Sequence, residues 1–216
     1  MPNLYTFLVV LMQLLVLVSA KNPFLEVLKT DDSIKTLHEI SGLNLKRPYY
    51  KDYAKVARWL TAKAGWGVLA TDGSDYNSDL KGHVPFANVM SYADASKGTP
   101  IFYLTKLDAT ARELENNPMA AFTISEASLL GGCIMIDAEE PICAKATFTG
   151  AVRPLEGGEA IASAKKALFK KHPVMRLWPS EHNFQVYTME LKKIFFLDFY
   201  GGAKQISIEE YYNVTL

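Results

Sequence analysis

The alternation over residues 145–153 is the clearest structural signal in the chain. Ala146, Phe148, Gly150 and Val152 fall on one side, and Lys145, Thr147, Thr149, Ala151 and Arg153 on the other. That is the period of two of a strand with one face on a core. Residues 185–192 repeat the pattern, with Tyr187, Met189 and Leu191 inward. Residues 194–200 are almost continuously apolar, which predicts a central strand buried on both faces. Shorter apolar runs at 66–71, 85–92, 101–105 and 119–125, separated by turn residues such as Asp72-Gly73, predict four more strands.

Helical spacing appears between them. Tyr53, Val56, Ala57 and Leu60 share one helix face, and Gly65 follows that helix. Asp108 is placed to cap a helix that turns Ala111 and Leu114 inward and stops at Asn117-Pro118, because a residue before proline is pushed out of the helical region. Residues 159–171 predict a helix with Ile161, Ala164 and Leu168 on one side. Upstream, Thr30-Asp31-Asp32 precede a short helical pattern of Ile34, Leu37 and Ile40. Six or seven strands with three or four irregularly placed helices do not suit a doubly wound parallel sheet. They predict a mainly β, antiparallel barrel with short helices.

The first twenty residues stand apart. Residues 4–18 are nearly all apolar, and the first charged side chain is Lys21. Val18-Ser19-Ala20 supplies compact residues for cleavage after Ala20, so 1–20 reads as a secretory signal peptide, with an uncleaved anchor as the alternative. No later apolar run is long enough to span a bilayer, so no membrane span is expected after signal removal. Residues 21–52 form an N-terminal extension and 53–216 the barrel domain.

Composition narrows the partners. The chain has 216 residues, 23 Lys+Arg and 23 Asp+Glu. Zero net charge argues against a nucleic-acid partner, since such affinity rests largely on neutralising phosphates. The only cysteines, Cys133 and Cys143, are an even pair suited to a disulfide in an oxidising compartment, two separately buried thiols being the alternative. Asn213-Val214-Thr215 is an N-glycosylation sequon. The histidines show no metal-ligand spacing, so no metal is expected. Lys165-Lys166 and Lys170-Lys171 read as a solvated helix end where cations suit the dipole. The apolar stretch Leu129, Leu130, Ile134, Met135 and Ile136 is more than a monomer readily exposes, which makes Leu130, Ile134 and Ile136 candidates for a homodimer interface.

The stretch from Ile101-Phe102-Tyr103-Leu104-Thr105 through Leu114-Glu115-Asn116-Asn117-Pro118 to Met119-Ala120-Ala121-Phe122-Thr123 resembles the flavin-mononucleotide-binding split barrel of the pyridoxamine-phosphate-oxidase type. A narrower resemblance, to the CREG family of secreted cellular-repressor glycoproteins, rests on Trp66-Gly67-Val68-Leu69-Ala70-Thr71, Pro85-Phe86-Ala87-Asn88-Val89, residues 172–180, His182-Asn183 and residues 209–215. It runs from about Ala54 to the C-terminus. It implies a split-barrel homodimeric glycoprotein, secreted or endolysosomal. It also implies a link to growth and differentiation control, contacts with a cell-surface or sorting receptor, and no oxidase activity. In flavin-binding relatives a Ser-Arg-Lys sequence at the start of the helix before Asn-Pro holds the flavin phosphate. Here the corresponding residues are Asp108, Ala109 and Thr110, so no cofactor is expected. The alternative is a flavin-mononucleotide-dependent oxidoreductase with Lys106 and Arg112 as substitute cations. Trp178 and His182 would then lie near the flavin ring; otherwise they form a packed loop.

Overall fold

The computed structural model describes residues 47–216 apart from 82–83, 96, 130–131 and 134–135. Arg47–Leu216 form one compact unit. The element order is α1 (Tyr53–Lys63), β1 (Trp66–Thr71), β2 (Phe86–Ala93), β3 (Ile101–Leu104), α2 (Ala109–Asn116), β4 (Met119–Ser125), β5 (Lys145–Pro154), α3 (Gly158–Lys171), β6 (Gln185–Leu197), β7 (Lys204–Ile206) and α4 (Ile208–Tyr212). Short 3-10 turns follow β4 at Glu126–Ser128, and α3 at Pro173–Leu177 and Ser180–His182. The predicted short helix carrying Ile34, Leu37 and Ile40, the signal peptide and most of the N-terminal extension lie outside the described residues.

The strands run β3-β2-β1-β4-β5-β6-β7, every pairing antiparallel. A further pairing of β3 with β6, Ile101 opposite Thr188 through Leu104 opposite Gln185, closes the first six strands into the expected antiparallel barrel. β7 pairs beyond the closure with the second half of β6.

The inward positions come from the period-two pattern. Leu69, Tyr92, Phe102, Phe122, Ile124, Phe148, Met189, Ile194 and Phe196 are fully or almost fully buried. Phe122 meets Tyr92 and Phe102 edge-on, each at a centroid distance of 5.0 Å. The barrel is narrow enough that Gly67 is required on β1: a Cβ there would lie 2.5 Å from the Thr123 carbonyl oxygen and 2.7 Å from Phe122 Cζ. Gly150 has a different reason. The β5–β6 register shifts between Thr149 and Gly150, and a Cβ on Gly150 would lie 1.9 Å from the Glu190 carbonyl oxygen. At the barrel end, α4 inserts Tyr211, whose hydroxyl hydrogen-bonds to Thr61 Oγ1 (2.9 Å) and to the Gly98 carbonyl (2.8 Å).

Two expectations change. Residues 185–192 and 194–197 are one strand, and the residue at 195 is not buried. Phe195 stands on the outer face and is 46% exposed, because past the register shift only Ile194 and Phe196, on either side of it, reach the core. The helix-end lysines also differ from one another. Lys171 leans back over the Tyr92 ring at 4.5 Å and donates to the Ala62 carbonyl at 3.3 Å, so burial lowers its pKa to about 8.

Cys133 and Cys143 are disulfide-bonded, with Cα atoms 5.6 Å apart. Of the interface candidates, Leu130 and Ile134 lie outside the described residues and Ile136 is half-buried.

Candidate functional site

β3 ends at Leu104, and the next few residues build the region where the split-barrel resemblance implies that relatives hold a flavin phosphate. Asp108 is the N-cap of α2, and its Oδ1 accepts from the Thr110 backbone N–H at 2.7 Å. From β2, Asn88 Nδ2 donates to both Asp108 carboxylate oxygens (3.4 and 3.3 Å) and to Thr110 Oγ1 (3.2 Å). The free N–H groups at a helix start are what usually attract a phosphate. Here the chain's own carboxylate occupies that position.

Both substitute cations are already engaged. Arg112 Nε donates to Asp75 Oδ2 at 2.8 Å, and its Nη1 donates to the Lys106 and Leu107 carbonyls at 3.2 and 3.3 Å. Lys106 Nζ pairs with Glu115, and this hydrogen bond holds the lysine pKa above its ordinary value.

The partner of Arg112 comes from the long β1–β2 connection, which folds back onto α2. Glu113, fully buried, is its anchor. Its carboxylate accepts from Tyr76 N (2.7 Å), Asp75 N (3.0 Å) and Ser74 Oγ (3.2 Å). Asn117 Nδ2 donates to Asp72 Oδ2 at 2.8 Å, which lowers the Asp72 pKa. The Tyr76 ring lies 4.8 Å from Phe86.

Trp178 and His182 sit in an aromatic cluster on the other side of the β3 end. Tyr103 is stacked with Trp178 (6.0 Å, 12°) and with Phe184 (5.1 Å, 25°), and meets Phe169 edge-on at 5.5 Å. The His182 ring lies 6.0 Å from Phe184, and its backbone carbonyl accepts from Thr105 Oγ1. All four candidate residues therefore gather around one turn: Lys106 and Arg112 on its helix side, Trp178 and His182 on its aromatic side. The residues that decide what the turn can do are Asp75, Glu113, Glu115 and Asn88. Asn88 and Glu115 appear in the sequence only within the motifs that carry the family resemblance, and Asp75 and Glu113 have no local signature, because their pairing joins segments 37 to 39 residues apart.

The residues present do not fit a flavin phosphate. A dianion at the start of α2 would meet the Asp108 carboxylate at contact range. At an effective dielectric of 20 each unit-charge pair at 4 Å is repulsive by about 4 kcal/mol. Both nearby cations are neutralised by carboxylates of the same chain. Nor, among the described residues, is there a group of three or more His, Cys, Asp or Glu side chains arranged to hold a metal.

Known proteins are similar to this chain in sequence and in fold. The family model "CREG, beta-barrel" covers residues 48–213. Protein CREG1 of Gallus gallus is 37% identical over 175 residues, 77% of this chain and 88% of the relative. Protein CREG1 of Homo sapiens is also 37% identical over 175 residues, covering 78% of this chain and 77% of the relative. Among solved structures, a heme binding protein from Mycobacterium smegmatis superposes with a TM-score of 0.60 at 21% identity, over 73% of this chain and 59% of its own length, a likeness of fold alone. Barrel, sequence and family model agree, and the chain belongs to the CREG family.

Proposed function

We propose that this protein is a non-catalytic split-barrel glycoprotein of the secretory or endolysosomal pathway, acting through protein or receptor contacts in the control of growth and differentiation. The observation that carries the non-catalytic reading is the Asp108 carboxylate at the start of α2, with Lys106 and Arg112 held by Glu115 and Asp75. The secretory reading is supported by the signal-like residues 1–20, by the CREG1 relatives, and by the exposed Asn213 sequon at the end of α4. Among the described residues no helix is long and apolar enough to cross a membrane.

The test is titration of the purified chain with flavin mononucleotide, followed by flavin fluorescence. No quenching is expected at micromolar ligand. Saturable quenching in that range would overturn the reading and restore the oxidoreductase alternative.

The reading includes a homodimer, and the outer barrel face supports it. Val89, Val68, Thr123, Thr147 and Phe195 are register partners from β2 to β6 and form an uncharged row straight across the sheet. Val89 is 61% exposed and Phe195 46%. An isologous dimer would set such a row against its own copy about a two-fold axis. Light scattering is expected to give a dimer for the wild type and a monomer with unchanged far-UV spectrum for Val89→Glu. A monomeric wild type would refute the dimer.

A further inference from the structure

Three charged side chains meet in the interior at the far end of β6. Arg47, from the segment before α1, Glu126, from the turn after β4, and Asp198, just past β6, have side chains only 7%, 3% and 1% exposed. They are separated by 79 and 151 residues in sequence, so the cluster exists only in the folded chain. The two carboxylates are held differently. Glu126 engages Arg47 with both oxygens, through Nε at 2.9 and 3.2 Å and Nη2 at 3.2 Å, and also accepts from the Ala144 backbone N–H at 3.3 Å. Asp198 touches Arg47 through Oδ1 alone, and its Oδ2 is buried with no hydrogen-bond partner among the described residues.

A buried carboxylate with one oxygen unsatisfied is expensive in its ionised form. Ionised Glu126 already matches the guanidinium in a two-pronged geometry. We propose that this cluster is a proton-linked clasp, in which Glu126 holds Arg47 in place while Asp198 takes up a proton that makes the fold tighter in mild acid than at neutral pH.

The surroundings agree. The charged groups facing Asp198 among the described residues are Arg47 and Glu126. From α1, Trp59 presents its ring to Arg47 at 5.8 Å. The neighbouring Phe199 packs on Tyr50 at 4.6 Å, and Glu140 of the disulfide loop is engaged by the Tyr200 hydroxyl at 3.1 Å. Burial is the largest influence and raises the Asp198 pKa from 3.8 to about 7. Arg47 opposes that rise and Glu126 adds to it.

The direction of the linkage follows. The folded chain binds the Asp198 proton more tightly than the unfolded chain does. Its contribution to stability is therefore fully present below pH 3.8 and is lost as pH rises through about 7. One such site makes the unfolding equilibrium constant about fifty-fold smaller at pH 5 than at pH 7. This property is independent of whether a flavin binds, and it matches a protein that works in an acidified compartment.

The experiment is urea unfolding of the full, disulfide-intact chain at pH 5 and pH 7, for wild type and Asp198→Asn. The wild type is expected to gain about one and a half orders of magnitude in folding equilibrium constant on acidification. Asp198→Asn is expected to lose most of that gain and to be at least as stable as wild type at pH 7. Superimposable pH profiles for the two proteins would overturn the proposal. Carbon-13 titration of the wild-type aspartate carboxyls decides the matter without the variant. One resonance with a midpoint between pH 6 and 8 supports the clasp, and midpoints all below pH 5 refute it.

Discussion

Replacing Glu113 with alanine tests whether the β1–β2 connection is a fixed part of the site or an ordinary surface loop. The carboxylate is fully buried on α2 and accepts from Tyr76 N, Asp75 N and Ser74 Oγ. Hydrogen bonds to a charged acceptor contribute about 1.5–3 kcal/mol each, so three would suggest roughly 4–9 kcal/mol if they added. They do not add, because Ser74 and Tyr76 are exposed and the freed amides reach water once the loop lifts. The expected net loss is about 2–4 kcal/mol, concentrated in local opening around residues 72–81. Amide exchange at Asp75 and Tyr76 should then accelerate by roughly 30- to 1000-fold, since 1.4 kcal/mol is a factor of ten. Glu113→Gln keeps one acceptor oxygen for the two backbone amides and should show a much smaller effect. The assay is site-resolved hydrogen exchange by NMR, with urea unfolding for the global term. Exchange at Asp75 and Tyr76 within three-fold of wild type in Glu113→Ala would refute the reasoning. So would Glu113→Gln matching the alanine variant.

Gly67→Ala should be strongly destabilising, by about 3 kcal/mol or more, because its Cβ would sit 2.5 Å from the Thr123 carbonyl oxygen and 2.8 Å from Ile124 Cγ2. Thermal unfolding by circular dichroism measures it, and a near-wild-type midpoint would mean the β1–β4 contact is looser than described. Lys171→Met tests a linkage of defined sign. The folded pKa of about 8 lies below the ordinary 10.5, so wild-type stability should rise as pH climbs from about 8 toward 10.5 and be level in this respect below 8. The methionine variant should lack up to about 3 kcal/mol of that rise and be the more stable protein at pH 7, as read from urea midpoints at pH 7, 8.5 and 10.

How much of this was readable beforehand depends on the range of the interaction involved. The β5 alternation, the Asp108 cap and the Asn117-Pro118 stop are set by neighbours within a few residues, so the chain alone identified those elements and the class of barrel they make. The disulfide was one of two readings of Cys133 and Cys143, and the structure bonds them rather than burying two separate thiols. That Ala109 and Thr110 stand where flavin-binding barrels carry cations was implied by the resemblance around Asn117-Pro118.

What the tertiary structure decided is where charges meet. The sequence offers Lys106 and Arg112 as free cations, and only the folding back of the β1–β2 connection brings Asp75 against Arg112, anchored by a glutamate 37 to 39 residues away. The single long β6 with an exposed Phe195 followed from the bulge opposite Gly150 and from barrel closure, neither of which has a local signature. Arg47, Glu126 and Asp198 carry no motif at all, and their shared burial exists only once three distant segments pack together. Hydrophobic period and capping are local and survive in the sequence. Electrostatic pairing depends on distance in space, and only the closed barrel sets those distances.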